Sequence, residues 1–223
     1  LVSSAVIFDL KPNKAYWKIN VSIWQILARK AYKNLSVKFP LGSFGAGYGA
    51  TTATLKGGQG STSSYVLDTK NRKYVVGALV INNAVGNPLL NKGPNFLSGN
   101  LEIHNEFGGV GGSSEIFDGT VRAKRITSSE NCLNTIIGVI ATNAPLNRNQ
   151  LKRLAIMCQG SISRSIHPSH TPMDGDTIFA LSTTFDDDNA NYNINKSDLT
   201  LINTVASDCF ARSCNRAIYE AHS

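Results

Sequence analysis

One run of β-branched and apolar residues sets the strongest limit on how this chain folds. It reads Thr-Ile-Ile-Gly-Val-Ile-Ala from Thr135 to Ala141 and follows a polar stretch rich in Ser and Asn, residues 127–134. β-Branched residues favour strands, and a nearly continuous apolar run is typical of a strand buried on both faces. We therefore predict a core strand over 135–141 that begins with a threonine.

The position of Thr135 also suggests a chemistry. If the Asn134–Thr135 peptide bond is cut, Thr135 carries its hydroxyl and a free α-amine on the same residue. An α-amine has a pKa of about 8, so it can accept the hydroxyl proton at neutral pH. That arrangement is the N-terminal threonine form of an activated nucleophile. Since Thr is also common at the start of ordinary strands, the pattern alone leaves a purely structural role open.

Several further segments carry a resemblance that runs through nearly the whole chain. The segments are residues 1–10, Gly45-Ala46-Gly47, Lys56-Gly57-Gly58, Asn83-Ala84-Val85-Gly86, and residues 170–180, which include Asp174-Gly175-Asp176. Together with Asn134-Thr135 they resemble, in the same order, self-cleaving N-terminal-nucleophile hydrolases. That family includes the D-stereospecific and β-peptidyl aminopeptidases and the endo-type nylon oligomer hydrolase, whose nucleophile is Thr and to which the resemblance is strongest.

The resemblance implies a fold and an architecture. The expected fold class is α/β, a four-layered αββα sandwich of the self-cleaving aminopeptidase and ornithine acetyltransferase type. We expect one catalytic domain, in which residues 1–134 match the C-terminal part of the larger subunit and residues 135–223 the smaller subunit. Family members carry a long segment before the part that resembles residues 1–10, so we expect that segment to be missing here. The family forms tetramers or larger homo-oligomers, which we also expect.

The resemblance further implies a set of site residues. Thr135 is the expected nucleophile, freed by self-cleavage after Asn134. Lys56 matches a family lysine that can lower the proton affinity near the nucleophile or act as a base. Asn83 matches an active-site asparagine whose amide can donate to an oxyanion, although the sequence does not decide between it and the adjacent Asn82.

Two carboxylates complete the expected site. Asp174 and Asp176 lie two residues apart, so in an extended segment both side chains point the same way, here toward the new ammonium group of Thr135. The alternative is a plain polar Asp-Gly turn. The nylon oligomer hydrolase has Tyr where this chain has Phe8, which makes Phe8 a candidate substrate contact and activity on linear polyamides less secure than amide hydrolysis in general.

Composition excludes several other classes. The chain has 223 residues, 42% of them hydrophobic, and a net charge of +7, but its basic residues are scattered and form no recognisable nucleic-acid motif. The sequence contains no run of 18 apolar residues, so it predicts no membrane-spanning helix. We therefore expect neither nucleic acid nor a membrane as partner.

Cysteine and histidine usage gives two further expectations. The four cysteines form no CxxC pair, which predicts reduced thiols and a cytoplasmic protein, with Cys132 as the alternative nucleophile. His167 and His170 have a spacing that a metal pair can use, but Pro168 interrupts it and no third ligand stands out. We expect no metal and no cofactor.

Periodicity predicts the elements around the site. We expect a first helix capped by Asn20 with Trp24 and Leu27 facing inward, and a last helix capped by Ser197. The other expected elements are strands over 2–10, 61–67, 73–82 and 177–184 and a helix over 147–166.

Three functions remain open from the sequence. The leading one is a self-processing hydrolase of small peptides, amino-acid amides or nylon-type 6-aminohexanoate oligomers. The second is an acyltransferase of the ornithine acetyltransferase type, which passes the acyl group to an amine instead of water. The third is a non-catalytic homologue.

Overall fold

A computed structural model describes residues 3–9, 22–124, 134–184 and 194–222. Two single turns of 3-10 helix lie at Gly45–Gly47 and Gly99–Leu101. The larger elements, in chain order, are α1 (Ser22–Lys33), β1 (Gly58–Leu67), β2 (Lys73–Asn83), β3 (Thr135–Thr142), α2 (Arg148–Ser163), β4 (Thr177–Ser182) and α3 (Lys196–Glu220).

The four strands form one sheet in the order β1-β2-β3-β4. β1 and β2 form an antiparallel hairpin, and β3 runs antiparallel to β2. Helix α2 then carries the chain back, so that β4 pairs parallel to β3, with Ile137 opposite Thr177. As a result the end of β2 and the starts of β3 and β4 lie at the same edge of the sheet.

Helices α2 and α3 cover one face of this sheet. Glycine makes the contact close: a Cβ built on Gly60 of β1 would lie 2.1 Å from the carbonyl oxygen of Ser213, so the backbone of α3 lies directly on the strand. The core side chains between sheet and helices are fully buried, among them Val76, Val80, Ile136, Ile140, Leu154, Ile162, Ile202 and Phe210. Burial of each such side chain stabilises the fold by about 1.5–3 kcal/mol.

Most predicted elements are confirmed, with small changes at their ends. The four expected strands other than the first are present, including the core strand that begins with Thr135. The predicted helix over 147–166 is α2, which Asn147 caps by a reciprocal pair of hydrogen bonds with Gln150. The last helix is capped by Asn195, whose side chain accepts from the Asp198 N–H, and not by Ser197. Asn and Ser both cap helices well, so the sequence did not separate these positions.

Two predictions about the N-terminal part are wrong. Residues 3–9 form no strand, and residues 3–6 are exposed, including Val6. Helix α1 exists, but Trp24 and Leu27 do not pack inward: they are 56% and 49% exposed. The cap predicted at Asn20 lies outside the described residues. An apolar helical stripe shows which face can be buried, but not whether a partner surface is there.

The described residues contain one sheet and not the two of the expected sandwich. The sheet face opposite α2 and α3 carries the exposed side chains of Tyr65, Val75 and Leu181. Within this described part, none of the helices combines the length and apolar character needed to cross a bilayer.

A glycine in β3 tests the packing of sheet against helix. A Cβ on Gly138 would lie 2.2 Å from the buried Phe210 ring, whereas a Cβ on Gly77 would have no atom within 4 Å. We predict that Gly138→Ala lowers the free energy of unfolding by about 1–3 kcal/mol through overpacking. Gly77→Ala is the matched control and should leave stability unchanged or slightly higher. Denaturant unfolding measures both, and equal stability of the two variants would contradict this packing.

Candidate active site

The shared edge of the sheet brings together five of the predicted site residues. Asn83, the last residue of β2, lies directly opposite Thr135, the first residue of β3. Just before β3, Asn134 pairs in parallel with Asp174, which precedes β4. Asp176 lies directly before β4, where its carboxylate accepts the backbone N–H of Ile136. Residues from three separate stretches of sequence therefore meet around Thr135.

The peptide bond before Thr135 is held in a defined environment. The Thr135 hydroxyl lies 2.5 Å from the carbonyl oxygen of Asn134. The same oxygen accepts the Gly175 N–H at 2.8 Å, and the Asn134 N–H donates to the Met173 carbonyl at 3.2 Å. Thr135 is buried, with 7% of its surface exposed. The carbonyl that would be attacked is thus next to the hydroxyl and already hydrogen-bonded by a backbone donor.

The lack of a side chain at Gly175 allows its backbone to lie close to the Thr135 hydroxyl. A Cβ at Gly175 would lie 3.3 Å from the Thr135 hydroxyl oxygen, which is tighter than an ordinary contact. A glycine between Asp174 and Asp176 therefore allows the loop backbone to approach the hydroxyl.

Asn83, and not Asn82, faces this site. The Asn83 side-chain oxygen accepts the Thr51 N–H at 3.0 Å, and its amide nitrogen donates to the Phe8 carbonyl at 3.3 Å. The side chain of Asn82 points to the helix side, where it donates to the Cys214 carbonyl. Because successive side chains on a strand alternate between faces, only one of the two can share the face of Thr135.

Lys124 is a residue that the sequence reasoning missed. Its ammonium lies 2.7 Å from the Asn134 side-chain oxygen, 3.2 Å from the Asn83 side-chain oxygen and 3.3 Å from the Asn83 carbonyl oxygen. Lys124 therefore connects Asn134 to Asn83. In the sequence it is one of several scattered basic residues, and no motif marks it.

Lys56 and Phe8, both expected from the resemblance, are placed less directly. Lys56 precedes β1 at the same edge of the sheet, but its side chain is exposed, and in the described part of the chain no hydrogen bond joins it to Thr135 or Asn83. Phe8 is half-buried and contacts Asn83 through its backbone carbonyl. Their roles stay predictions.

The two aspartates bind different partners. Asp174 accepts hydrogen bonds from the Val85 N–H, at 3.2 Å, and from the backbone and hydroxyl of Thr171, at 2.9 and 2.7 Å. Asp176 accepts from the Ile136 N–H at 2.8 Å and contacts the His170 ring. Asp174 therefore anchors the loop before β4, while Asp176 is hydrogen-bonded to Ile136, the residue that follows Thr135.

Burial dominates the electrostatics of Asp176. It raises the pKa of this carboxyl, the hydrogen bond from Ile136 lowers it, the charge of Asp174 raises it and His170 lowers it. The carboxylate is thus held in a poorly solvated position next to Thr135 and Ile136 by a small number of specific contacts.

The histidines and cysteines take other places. The His167 ring packs edge-on against Phe117, and His170 contacts Asp176. Among the described residues, no three His, Cys, Asp or Glu side chains are grouped as metal ligands. Cys158, Cys209 and Cys214 are free and buried, and burial raises their pKa to about 12, 11 and 12, so they stay neutral thiols. Cys132 lies outside the described residues.

The sequence profile of peptidase family S58 matches residues 3–223. The chain belongs to this family. An uncharacterised aminopeptidase of Mycobacterium leprae is 32% identical, across 100% of this chain and 62% of the relative. A 6-aminohexanoate-oligomer endohydrolase of Kocuria is 28% identical, across 82% of this chain and 50% of the relative. The chain thus spans between half and two thirds of these relatives.

A solved structure shows the fold class that this chain resembles. The L-aminopeptidase D-Ala-esterase/amidase of Ochrobactrum anthropi, described as a variant of the Ntn hydrolase fold, superposes with a TM-score of 0.60 and 28% identity. The match covers 86% of this chain and 48% of the other. This confirms the predicted fold class, to which the described sheet and its covering helices contribute one half.

Lys124 gives a test of the site geometry in this S58 chain. A hydrogen bond to a charged group contributes about 1.5–3 kcal/mol, so we predict that Lys124→Gln slows the cleavage expected at Asn134–Thr135 on the order of tenfold or more. Lys92→Gln, at an exposed lysine, is the control. Intact mass followed over time measures both rates, and equal rates in the two variants would remove Lys124 from the site.

Proposed function

We propose that this chain is part of a self-processing amide hydrolase whose nucleophile is Thr135 after cleavage of the Asn134–Thr135 bond. The observation that carries the proposal is the geometry of the bond itself. The Thr135 hydroxyl and the Gly175 N–H both donate hydrogen bonds to the Asn134 carbonyl oxygen, at 2.5 and 2.8 Å. A nucleophile and an oxyanion donor on one carbonyl are what acyl transfer requires.

Self-cleavage proceeds in two steps. The Thr135 hydroxyl oxygen attacks the Asn134 carbonyl carbon, and the C–N bond breaks as the hydroxyl proton passes to the amine, leaving an ester between the two residues. Water then hydrolyses the ester, giving a carboxylate on Asn134 and a free hydroxyl and α-amine on Thr135. The Gly175 N–H donates to the oxygen on which negative charge develops, and one such donor contributes roughly 3–4 kcal/mol.

Turnover repeats the same chemistry on a substrate. The α-amine of Thr135 takes the hydroxyl proton while the oxygen attacks the substrate amide, and the amine then protonates the leaving group. Water releases the acyl group. We assign Asn83 to the orientation of the reacting carbonyl and Asp174 and Asp176 to the placement of the loop and of the nucleophile strand. Lys56, the lysine expected from the family, is kept as a candidate for modulating the proton affinity at this edge.

The proposed substrates are small peptides, amino-acid amides or 6-aminohexanoate oligomers. The names of the Mycobacterium leprae, Kocuria and Ochrobactrum proteins support hydrolysis of amides, and nothing observed favours acyl transfer to ornithine. Buried free thiols support the expected cytoplasmic location. Association of the two cleaved parts and a homo-oligomer are kept as parts of the proposal.

Substitution of Thr135 tests the proposal. Wild-type protein should appear by intact mass as two fragments, residues 1–134 and 135–223, that copurify. Thr135→Ala should remain uncut and lose amide hydrolysis, because alanine has no hydroxyl to attack the Asn134 carbonyl carbon. Thr135→Ser should keep part of both activities, since it supplies the same hydroxyl. Uncut wild-type protein that hydrolyses amides, or Thr135→Ala with wild-type turnover, would refute the proposal, and Cys132 would be tested next.

A substrate panel separates hydrolysis from transfer. Purified cleaved protein is assayed with an amino-acid p-nitroanilide, with a linear 6-aminohexanoate oligomer, and with an N-acetylated amino acid in the presence of ornithine. We expect amide hydrolysis in the first assay. Activity on the oligomer should be lower, because this chain has Phe8 where the nylon oligomer hydrolase has Tyr. Acyl transfer to ornithine without hydrolysis would identify the alternative function.

A further inference from the structure

His170 contacts an oxygen atom with each of its two ring nitrogens. Its Nδ1 lies 2.8 Å from Oδ2 of Asp176, and its Nε2 lies 3.0 Å from the carbonyl oxygen of Gln159 in α2. A carbonyl oxygen only accepts, so Nε2 must carry a proton and donate it. The contact between Nδ1 and Oδ2 then needs a second proton, because otherwise two lone pairs would face each other.

Two arrangements satisfy these contacts, and they have the same number of protons. Either His170 is an imidazolium facing an ionised Asp176, or His170 is neutral and Asp176 is protonated. In both, the pair has no net charge. The Asp176 side chain is only 5% exposed, whereas the His170 side chain is 39% exposed, so solvent reaches the pair from the side of the ring.

The pair is connected to the nucleophile through the backbone. While Oδ2 of Asp176 contacts His170, its Oδ1 accepts the Ile136 N–H at 2.8 Å. Ile136 directly follows Thr135 in β3, so the position of this carboxylate fixes the backbone of the residue after the nucleophile. The Asp174 carboxylate holds the other end of the same loop through Thr171, the neighbour of His170.

We propose that His170 is a positioning residue for the reaction at Thr135: by contacting Asp176 it balances the charge of that carboxylate and holds it on the backbone of the nucleophile. The proposal rests on the proposed function. In the described part of the chain His170 contacts Asp176 and the Gln159 carbonyl oxygen but none of the reacting atoms, so it acts through Asp176.

The surrounding charges determine the direction of the effect. The charged or titratable groups around the pair are Asp174 on the same loop, Cys214 of α3, and the α-amine that cleavage creates on Thr135. Cys214 is neutral, because burial raises its pKa to about 12. Without His170, the Asp176 charge is balanced less well. The new ammonium group is then favoured, and Asp176 itself takes up a proton more readily. Both changes remove active enzyme at the acidic end of the pH range.

The test compares pH profiles of kcat/KM on an amino-acid p-nitroanilide. His170 has a φ of 52°, a left-handed conformation that Asn tolerates well, so His170→Asn removes the ring without straining the backbone. His104 has a φ of 53° and is exposed, which makes His104→Asn a matched control. Asp176→Asn and the double variant His170→Asn/Asp176→Asn complete the set, and intact mass and thermal unfolding are recorded for all.

We expect the acidic limb of His170→Asn to move up by about one pH unit, a loss of about tenfold at a fixed pH below the limb. His104→Asn should superpose on wild type. Asp176→Asn should show a lower maximum with its acidic limb moved down, and the double variant should match Asp176→Asn, because His170 then has no carboxylate to act through. If His170→Asn does not fold, His170→Gln replaces it, since it keeps an N–H donor but no charge.

An unshifted profile for a folded His170 variant would overturn the inference, and so would an additional loss in the double variant over Asp176→Asn. These outcomes require active wild-type enzyme, so they leave the proposed function intact. Wild-type protein that is neither cleaved nor able to hydrolyse amides would instead overturn the proposed function, and the role of His170 with it.

Discussion

The pairing register of β2 and β3 is the constraint on which the site depends. It sets Asn83 opposite Thr135 and places Ile136 among the core side chains under α2 and α3. Because strand side chains alternate between faces, a slip by one residue would bury Thr135 under the helices and expose Ile136. The apolar residues that alternate along β3 therefore form the core and also determine which face of the sheet carries the Thr135 side chain.

The parallel pairing of β3 and β4 adds the second half of the site. The segment before β4 enters the sheet beside Asn134, so its backbone reaches the carbonyl next to Thr135 through Gly175. One turn of loop thus supplies a backbone donor, an anchoring carboxylate and a buried carboxylate. Their different partners explain why two aspartates separated by one glycine do different work, although the sequence treats them as a pair.

Much of this arrangement could be predicted from the sequence. The β-branched run fixed β3 and Thr135, and the family resemblance pointed to Asn83, Asp174 and Asp176, all of which the fold brings to one edge. Lys124 could not be found, because it is brought to the site by the path of residues 84–124, a sequence with no helical or strand periodicity.

His170 and the N-terminal part show other limits of sequence reasoning. The sequence marks His170 only as part of the family-like segment 170–180 and as one of two closely spaced histidines, since spacing along the chain does not reveal that a carboxylate six residues later contacts its ring. The apolar composition of residues 2–10 predicts a strand, which residues 3–9 do not form. Composition indicates a tendency to be buried, but burial requires a neighbouring surface, and residues 3–6 have none in the described structure.

The close contact of α3 with β1 has a consequence for the cleaved protein. The β1–β2 hairpin precedes the Asn134–Thr135 bond and α3 follows it, yet their backbones touch at Gly60 and Ser213. If that bond is cleaved as proposed, the hydrophobic core becomes the interface between two chains. Refolding changes from a unimolecular to a bimolecular reaction, and the midpoint of unfolding comes to depend on protein concentration.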